Sequence, residues 1–330
     1  MGYKHLFGPV ASRRLGVSLG VDLVVHKVCS LDCLYCECGK TTRLTDERKA
    51  WVPFDVVKSE LDRYWAENDD PDYITFSGSG EPCLNSEIGR VIDYIKENKP
   101  DIRVAVLTNA TLLTDPNVRF ELMNADLVVP SLDGVSKEVF QKINRPCHTL
   151  DPEDIIRGIQ AFARGFTGRV HLEIFILPGV NDFPEEVGRF KQAIARIRPD
   201  LVQLNSLDRP GTCDSVVVSP RNILEQIKQD LGPEGVEIIA KVPAPDRTSG
   251  ARKGTRQGKD LERSILETIH RRPSTCRDLA AMLGAAPEEI QRLLDSYEAQ
   301  GRIESRKEAR GTFYQTRKGG RANAYKNRDE

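Results

Sequence analysis

The stretch Leu19-Gly-Val-Asp-Leu-Val-Val25-His26-Lys-Val-Cys29-Ser-Leu-Asp-Cys33-Leu-Tyr35-Cys36 runs from an apolar segment straight into three cysteines. Val and Leu dominate Leu19 to His26, which reads as a β-strand with the cysteine loop at its C-terminal end. A soft thiolate triad at C-x3-C-x2-C spacing suits an iron–sulfur cluster or zinc. Three protein ligands leave one position of a four-coordinate centre open, and open positions are where metals do chemistry. Zinc with Cys38 as fourth ligand is the competing arrangement. Its one-residue spacing from Cys36 is tight for tetrahedral closure, and no second cysteine pair or nearby histidine pair completes a finger. His26 suits a core or rim position in the strand better than ligation.

Downstream of this loop, strands and helices alternate. Phe54 to Asn68 is apolar at helical spacing, Asp72 to Phe76 is a short buried-type strand, and Ser86 to Asn98 is a helix. Further strands are expected at 102–107, 126–132, 169–177, 201–207 and 236–241, with helical segments near 117–123, 136–142, 152–164, 184–197 and 220–230. Strands separated by helices of this length imply parallel βαβ units. Such a series could form an open doubly wound sheet or a partial barrel. Turn glycines and polar residues recur after the ends of successive strands: Ser77-Gly-Ser-Gly-Glu-Pro82, Thr108-Asn109, Ser131-Leu-Asp133-Gly134, Pro178-Gly179 and Arg209-Pro-Gly211. That rim pattern favours a partial (β/α)6 TIM-like barrel, whose sites assemble at the C-terminal strand ends. The opening Gly8-Pro-Val-Ala-Ser-Arg-Arg-Leu-Gly16 reads as a turn-rich approach.

The expected domain boundaries are a barrel over 1–241, a linker over 242–258, a second module over 259–317 and a polar tail over 318–330. The linker has prolines and glycines without apolar periodicity. The second module resembles a winged helix-turn-helix, with helices at 260–270, 277–283 and 288–299, Ser274 as an N-cap, Pro287 opening the third helix, and short strands around Arg310-Gly311. The net charge of -1 conceals +7 over residues 247–330 and -8 over the rest. Basic residues interleaved with Phe313, Tyr314 and Tyr325 suit phosphate backbones and unstacked bases, with RNA preferred over sequence-specific DNA because the third helix carries Glu288, Glu289, Asp295 and Glu298. Protein docking is the other use of such a module.

No segment approaches the roughly 18 apolar residues of a membrane span. Eight cysteines, four of them packed between Cys29 and Cys38, do not look like a disulfide framework, so a reducing, cytoplasmic setting is expected. Cys83, Cys147 and Cys213 all follow expected strand ends; converging there they would form a second cluster, whereas singly placed loop cysteines are more often small buried residues.

Cys29-x3-Cys33-x-Tyr35-Cys36 after a first strand resembles the signature of the radical S-adenosylmethionine (SAM) superfamily. The resemblance spans about residues 8–241. It implies a [4Fe–4S] cluster on Cys29, Cys33 and Cys36, whose open iron grips SAM and cleaves it reductively to a 5′-deoxyadenosyl radical. An electron donor such as flavodoxin or ferredoxin is implied with it. Ser79-Gly80-Glu81-Pro82 is similar to the family's Gly-Gly-Glu-Pro loop, with serine at the first glycine, and implies that Gly80 and Glu81 receive the methionine ammonium. By the same resemblance Tyr35 lies against the adenine, while Thr108, Asn109, Ser131 and Asp133 are cofactor contacts at strand ends. Asn109 as a cap and Asp133-Gly134 as a turn pair are adequate alternatives. Glu173, sharing a strand face with His171 and Phe175, lines a polar cavity if it points inward. Ile176 to Asp182 resembles the family's adenine-backing stretch. The opening segment and the Gly-Ser-Gly-Glu-Pro variant are similar to a subgroup placed with wyosine-type tRNA enzymes and molybdopterin-precursor enzymes, although the additional cluster cysteines of both are missing. The expected function is thus hydrogen abstraction from a substrate, taken as an RNA base, with a peptide or small metabolite as alternative. The competing class is a metal-cysteine sensor that binds DNA through the winged helix.

Overall fold

The computed structural model describes residues 3–12, 15–147, 150–213, 215–239, 259–308 and 310–317. The chain divides into two compact units, one within residues 3–244 and one within 245–330. The expected linker 242–258 and tail 318–330 lie outside the described residues.

In the first unit β1 (Leu6–Ser12) and β2 (Gly16–Val21) form an antiparallel pair. Then follow β3 (Val28–Cys29), β4 (Arg43–Leu44), α1 (Phe54–Glu67), β5 (Tyr73–Phe76), α2 (Ile88–Asn98), β6 (Arg103–Thr108), α3 (Pro116–Glu121) and β7 (Leu127–Pro130). The unit continues with α4 (Lys137–Asn144), α5 (Pro152–Gly165), β8 (Arg169–Phe175), α6 (Pro184–Ile197), β9 (Leu201–Asn205), α7 (Arg221–Leu231) and β10 (Val236–Ile238). Short 3-10 turns cover Pro82–Leu84 and Thr111–Thr114.

The strand order β1-β2-β5-β6-β7-β8-β9-β10 decides between the two architectures left open above. From β2 onward every pair is parallel and the order follows the sequence without reversal. Right-handed crossovers that never reverse direction place all the helices on one face, whereas a doubly wound sheet needs a switch point. Successive helices touch in chain order, α1 with α2, α2 with α3, α5 with α6 and α6 with α7. The sheet is therefore a partial barrel. Alternate strand residues show its two faces: Val104, Val106 and Val128 join the large core under the helices, while Ala105, Leu127 and Val129 form a separate inner cluster.

Two expectations about the first unit need correcting. The turn-rich opening is a strand, and Gly8-Pro9 misled because it sits at a bulge in the β1–β2 register between Phe7 and Val10. Gly20 on β2 leaves the space that the Phe7 ring fills; a Cβ there would lie 2.1 Å from it. The first parallel strand ends at Val21, not His26, because its ladder to β5 ends at Val21↔Phe76. Leu23 and Val24 remain buried in the loop beyond it, so apolar character outlasts the strand.

The second unit comprises α8 (Lys259–Arg271), β11 (Ser274–Thr275), α9 (Cys276–Leu283), α10 (Pro287–Ala299), β12 (Ile303–Glu308) and β13 (Gly311–Thr316), with β13 between β11 and β12. It has its own core, including Leu261, Ile265, Leu279, Ile290, Leu294 and Tyr314. The N-cap of α9 is Thr275 rather than Ser274: its side chain accepts from the Asp278 N–H, and Asp278 returns a bond to the Thr275 N–H. Pro287 opens α10 as expected. Phe313 and Tyr314, expected to face bases, are 1% and 5% exposed, so the core claims both rings. Tyr325 lies outside the described residues.

Among the described residues no helix is long and apolar enough to cross a membrane.

Candidate active site

The cysteine loop folds back on itself because β3 and β4 pair in parallel, Val28 with Arg43 and Cys29 with Leu44. Each thiol of the triad meets a nitrogen donor from a different part of the chain. Asn109 Nδ2 lies 3.5 Å from Cys29 Sγ, Asn144 Nδ2 3.3 Å from Cys33 Sγ, and Lys27 Nζ 2.9 Å from Cys36 Sγ. A hydrogen bond with Cys38, then Lys27, brings the Cys36 thiol down to about 5 despite its burial. Burial and the Glu81 charge push Cys29 up to about 12. Among the described residues no three Cys, His, Asp or Glu side chains are grouped closely enough to hold a single metal ion. From the other side, Thr212 Oγ1 reaches Cys33 O (3.0 Å) and Leu34 O (2.8 Å). Gly211 packs so closely on Tyr35 that a Cβ would lie 3.1 Å from its backbone.

The loop after β5 is tied directly to this segment. Glu81 N donates to Val28 O (3.1 Å), and a Cβ on Gly80 would lie 1.8 Å from that same oxygen. Gly80 is therefore required by the close approach of two loops, not only by a ligand. Ser79, the departure from the family's glycine, has its own partner: its hydroxyl donates to buried Asp22 Oδ2 (2.5 Å) and its N–H to the same oxygen (3.0 Å). Glu81 is 2% exposed, and burial raises its pKa. Its Oε1 accepts from Cys83 N (3.0 Å) and Thr108 Oγ1 (2.7 Å), its Oε2 from Asn109 N (2.7 Å). The Cys83 side chain is hydrogen-bonded to the same carboxylate. Thr108 thus holds Glu81.

Tyr35, Asn109, Ser131 and Asp133, four of the expected cofactor residues, line one small cavity of about 40 Å³ together with Leu31 and Asn144. Its size admits a fragment of a cofactor, not the whole. Ser131 takes its place through Ser131 N→Thr108 O (2.9 Å) and a bridge to Glu173. Asp133 is buried at the centre of a network. Oδ2 accepts from Tyr35 Oη (2.5 Å) and Asn144 Nδ2 (2.9 Å), and Oδ1 from Phe175 N (2.9 Å). Burial first, with Glu173 adding, raises its carboxyl to about 6 against those donors. The Tyr35 ring stacks on Phe175 at 3.8 Å and 7°. Glu173 shares the inner face with His171 and Phe175, while Val170, Leu172 and Ile174 pack under the helices, which bears out the inward reading. In the stretch after β8, Asn181 Nδ2 donates to Asp133 O (2.8 Å) and Phe175 O (2.7 Å), so it supports the network from behind.

Sequence reasoning missed Lys27, Asp22, Asn144 and Thr212. Lys27 carried a signal, a charged residue between an apolar run and Val28. Asn144 closes an amphipathic helix, where nothing local marks it. Of the three cysteines weighed for a second cluster, Cys83 is fully buried within the main core. Cys147 N donates to Ser30 O (2.9 Å), and Cys213 Sγ pairs with Ser215 Oγ at 3.0 Å.

The fold, a partial barrel with a three-cysteine loop at its C-terminal rim, defines a class. The chain belongs to the radical SAM superfamily, whose family description matches residues 23–190. It is a radical SAM enzyme. It is 38% identical over 211 residues to a UPF0026 protein of Synechocystis sp., covering 63% of this chain and 77% of that one. A protein named GTPase Obg from Brachyspira hyodysenteriae is 32% identical over 300 residues, covering 91% of this chain but 43% of the Brachyspira protein, so the chain spans less than half of that relative. A protein of Parasynechococcus marenigrum named as a probable dual-specificity RNA methyltransferase is 26% identical over 202 residues, 55% of this chain and 56% of that one. Among solved structures, a radical SAM methyltransferase from Sphaerobacter thermophilus shares the fold at a TM-score of 0.52 and 18% identity, covering 68% of this chain and 65% of that one.

The family implies a [4Fe–4S] cluster and SAM, and the residues present fit both. Sulfur ligands in a cluster carry negative charge, and each of the three thiols already has a donor to stabilise it. For SAM there is a waiting acceptor, Asn144 Oδ1, buried without a partner in the cavity wall. Its amide cannot be flipped to satisfy it, since both neighbours of Nδ2 are better served by a donor.

Proposed function

We propose that this protein cleaves SAM reductively and uses the resulting 5′-deoxyadenosyl radical to take a hydrogen atom from a substrate at the open barrel face. When bound, the cluster would supply to SAM an electron drawn from a donor such as flavodoxin or ferredoxin, and the products expected per SAM are methionine and 5′-deoxyadenosine. Cys29, Cys33 and Cys36 would hold it. Glu81, fixed by Thr108 and Asn109, would receive the methionine ammonium. Asn109, Ser131 and Asn144 would bind polar parts of the cofactor in the cavity, and the Tyr35–Phe175 stack would exclude water from it.

The observation that carries this reading is the direct bond between the two motif loops, Glu81 N to Val28 O, one residue before Cys29. It sets the expected ammonium acceptor beside the expected cluster ligand. Anaerobic protein loaded with iron and sulfide and reduced with dithionite should release 5′-deoxyadenosine and methionine from SAM. Cys33→Ala should lower that release by at least about a hundredfold; near-normal release would defeat the ligand assignment.

For the substrate we infer an RNA base. Support comes from the likeness to a protein named as an RNA methyltransferase and from exposed Arg306 and Lys307 on β12. The second unit, read as a winged helix, would recruit RNA through charge rather than through Phe313 and Tyr314, which are buried. That burial favours a second reading, in which this unit docks a protein.

A further inference from the structure

We propose that Lys27 is a positioning residue for the redox step: its ammonium, fixed against Cys36 Sγ, holds the cluster at a higher reduction potential than the sulfur ligands alone would give. This rests on the cluster reading above. Lys27 is 2% exposed, yet it sits one residue before Val28 in an apolar approach to the cysteines. Its Nζ donates to Cys36 Sγ (2.9 Å) and to Gly39 O (2.7 Å). The backbone is held as firmly: Lys27 N donates to Thr42 Oγ1 (2.8 Å), while Thr42 N and Arg43 N both reach Lys27 O at 3.1 Å.

A buried ammonium is costly unless an anion compensates it. The groups acting on this one are sulfurs. The contacts of its ammonium with Cys36 Sγ and Gly39 O tie the lysine to the cysteine loop. Reduction adds one electron to the metal–sulfur unit, so a fixed positive charge in contact with a ligand sulfur stabilises the reduced form more than the oxidised one. Hydrogen bonds to cluster sulfurs and local charge are established levers on such potentials. The Asn109 and Asn144 contacts are neutral donors; Lys27 brings a full charge.

A merely structural role, stapling the loop through Gly39 O, is the alternative, and the test separates the two. Wild type, Lys27→Met, Lys27→Gln and Lys27→Arg are loaded anaerobically with iron and sulfide. The midpoint potential is read by electron paramagnetic resonance at matched iron content, without SAM or substrate. The neutral variants should be at least about tenfold harder to reduce, about 59 mV more negative for one electron, while Lys27→Arg stays near wild type. If neither neutral variant holds iron but Lys27→Arg does, the lysine serves assembly of the loop rather than the potential, which overturns the assignment. Loaded neutral variants with the wild-type potential overturn it, as does an equal shift in Lys27→Arg or loss of iron from all three. A wild-type protein that takes up no iron–sulfur cluster would instead sink the functional reading.

Discussion

Asp133 shows how much one buried side chain can organise. Its two oxygens hold Tyr35, Asn144 and the Phe175 N–H, and through Asn144 the network reaches Cys33. Its carboxyl is raised from 3.8 to about 6 in the fold. A folded state that binds its proton more tightly than the unfolded chain gains stability as pH falls, here between about 6 and 3.8, and loses it as pH rises through that window. At pH 8 the ionised form costs on the order of a few kcal/mol. In the apoprotein, Asp133→Asn should therefore change melting temperature relative to wild type in a pH-dependent way, the variant gaining as pH rises from 4 to 8. A constant difference across that range would show that the carboxyl does not titrate there. A sequence cannot show this residue's role. Asp133-Gly134 reads as well as a turn pair, and the partners at 35, 144 and 175 are brought in by three separate elements.

At the scale of elements, the decisive contact is between the loop after β5 and the segment entering Cys29. Gly80 and Val28 belong to different βα units, and their closeness follows from β2 and β5 being neighbours in the sheet. Gly80→Ala puts a methyl 1.8 Å from Val28 O, which cannot be relieved without moving β3, and 2.9 Å from Val24 Cγ2. Overpacking of this kind costs about 1–3 kcal/mol. The variant should melt several degrees lower and take up less iron; normal iron uptake and stability would show that the loops are free to separate. The helices around the barrel were far easier to read. Asp115-Pro116 and Asp151-Pro152 start α3 and α5 with the cap and the first-turn proline that local chemistry demands. The β1 strand was not, because a bulge at Gly8-Pro9 looks like a turn until its partner strand is present.

At the scale of the whole molecule, two units have separate cores, and the charge divides with them, basic toward the C-terminus. Residues 245–330 should therefore be dispensable for SAM cleavage and needed for substrate capture. A protein ending at residue 244 should load iron and release 5′-deoxyadenosine at a rate within about threefold of the full chain, but lose any salt-dependent shift of RNA that the full chain shows. Unchanged RNA binding by the shortened protein would move the capture site into the barrel and leave the second unit to protein docking.

The sequence by itself determined the alternation of strand and helix, the rim of polar strand ends, and a three-cysteine loop suited to an open metal site. These are local matters of periodicity, turn chemistry and spacing. Tertiary structure alone decided that the sheet is singly wound, because strand order depends on crossovers that no local pattern records. It also brought Thr108 to Glu81, and Asp133 to Tyr35 and Asn144. Phe313 and Tyr314 went to a core rather than a binding face, because burying two rings stabilises a small unit more than exposing them. And it set Lys27 against Cys36, since which atom compensates a buried charge is settled only when the loop has folded back upon it.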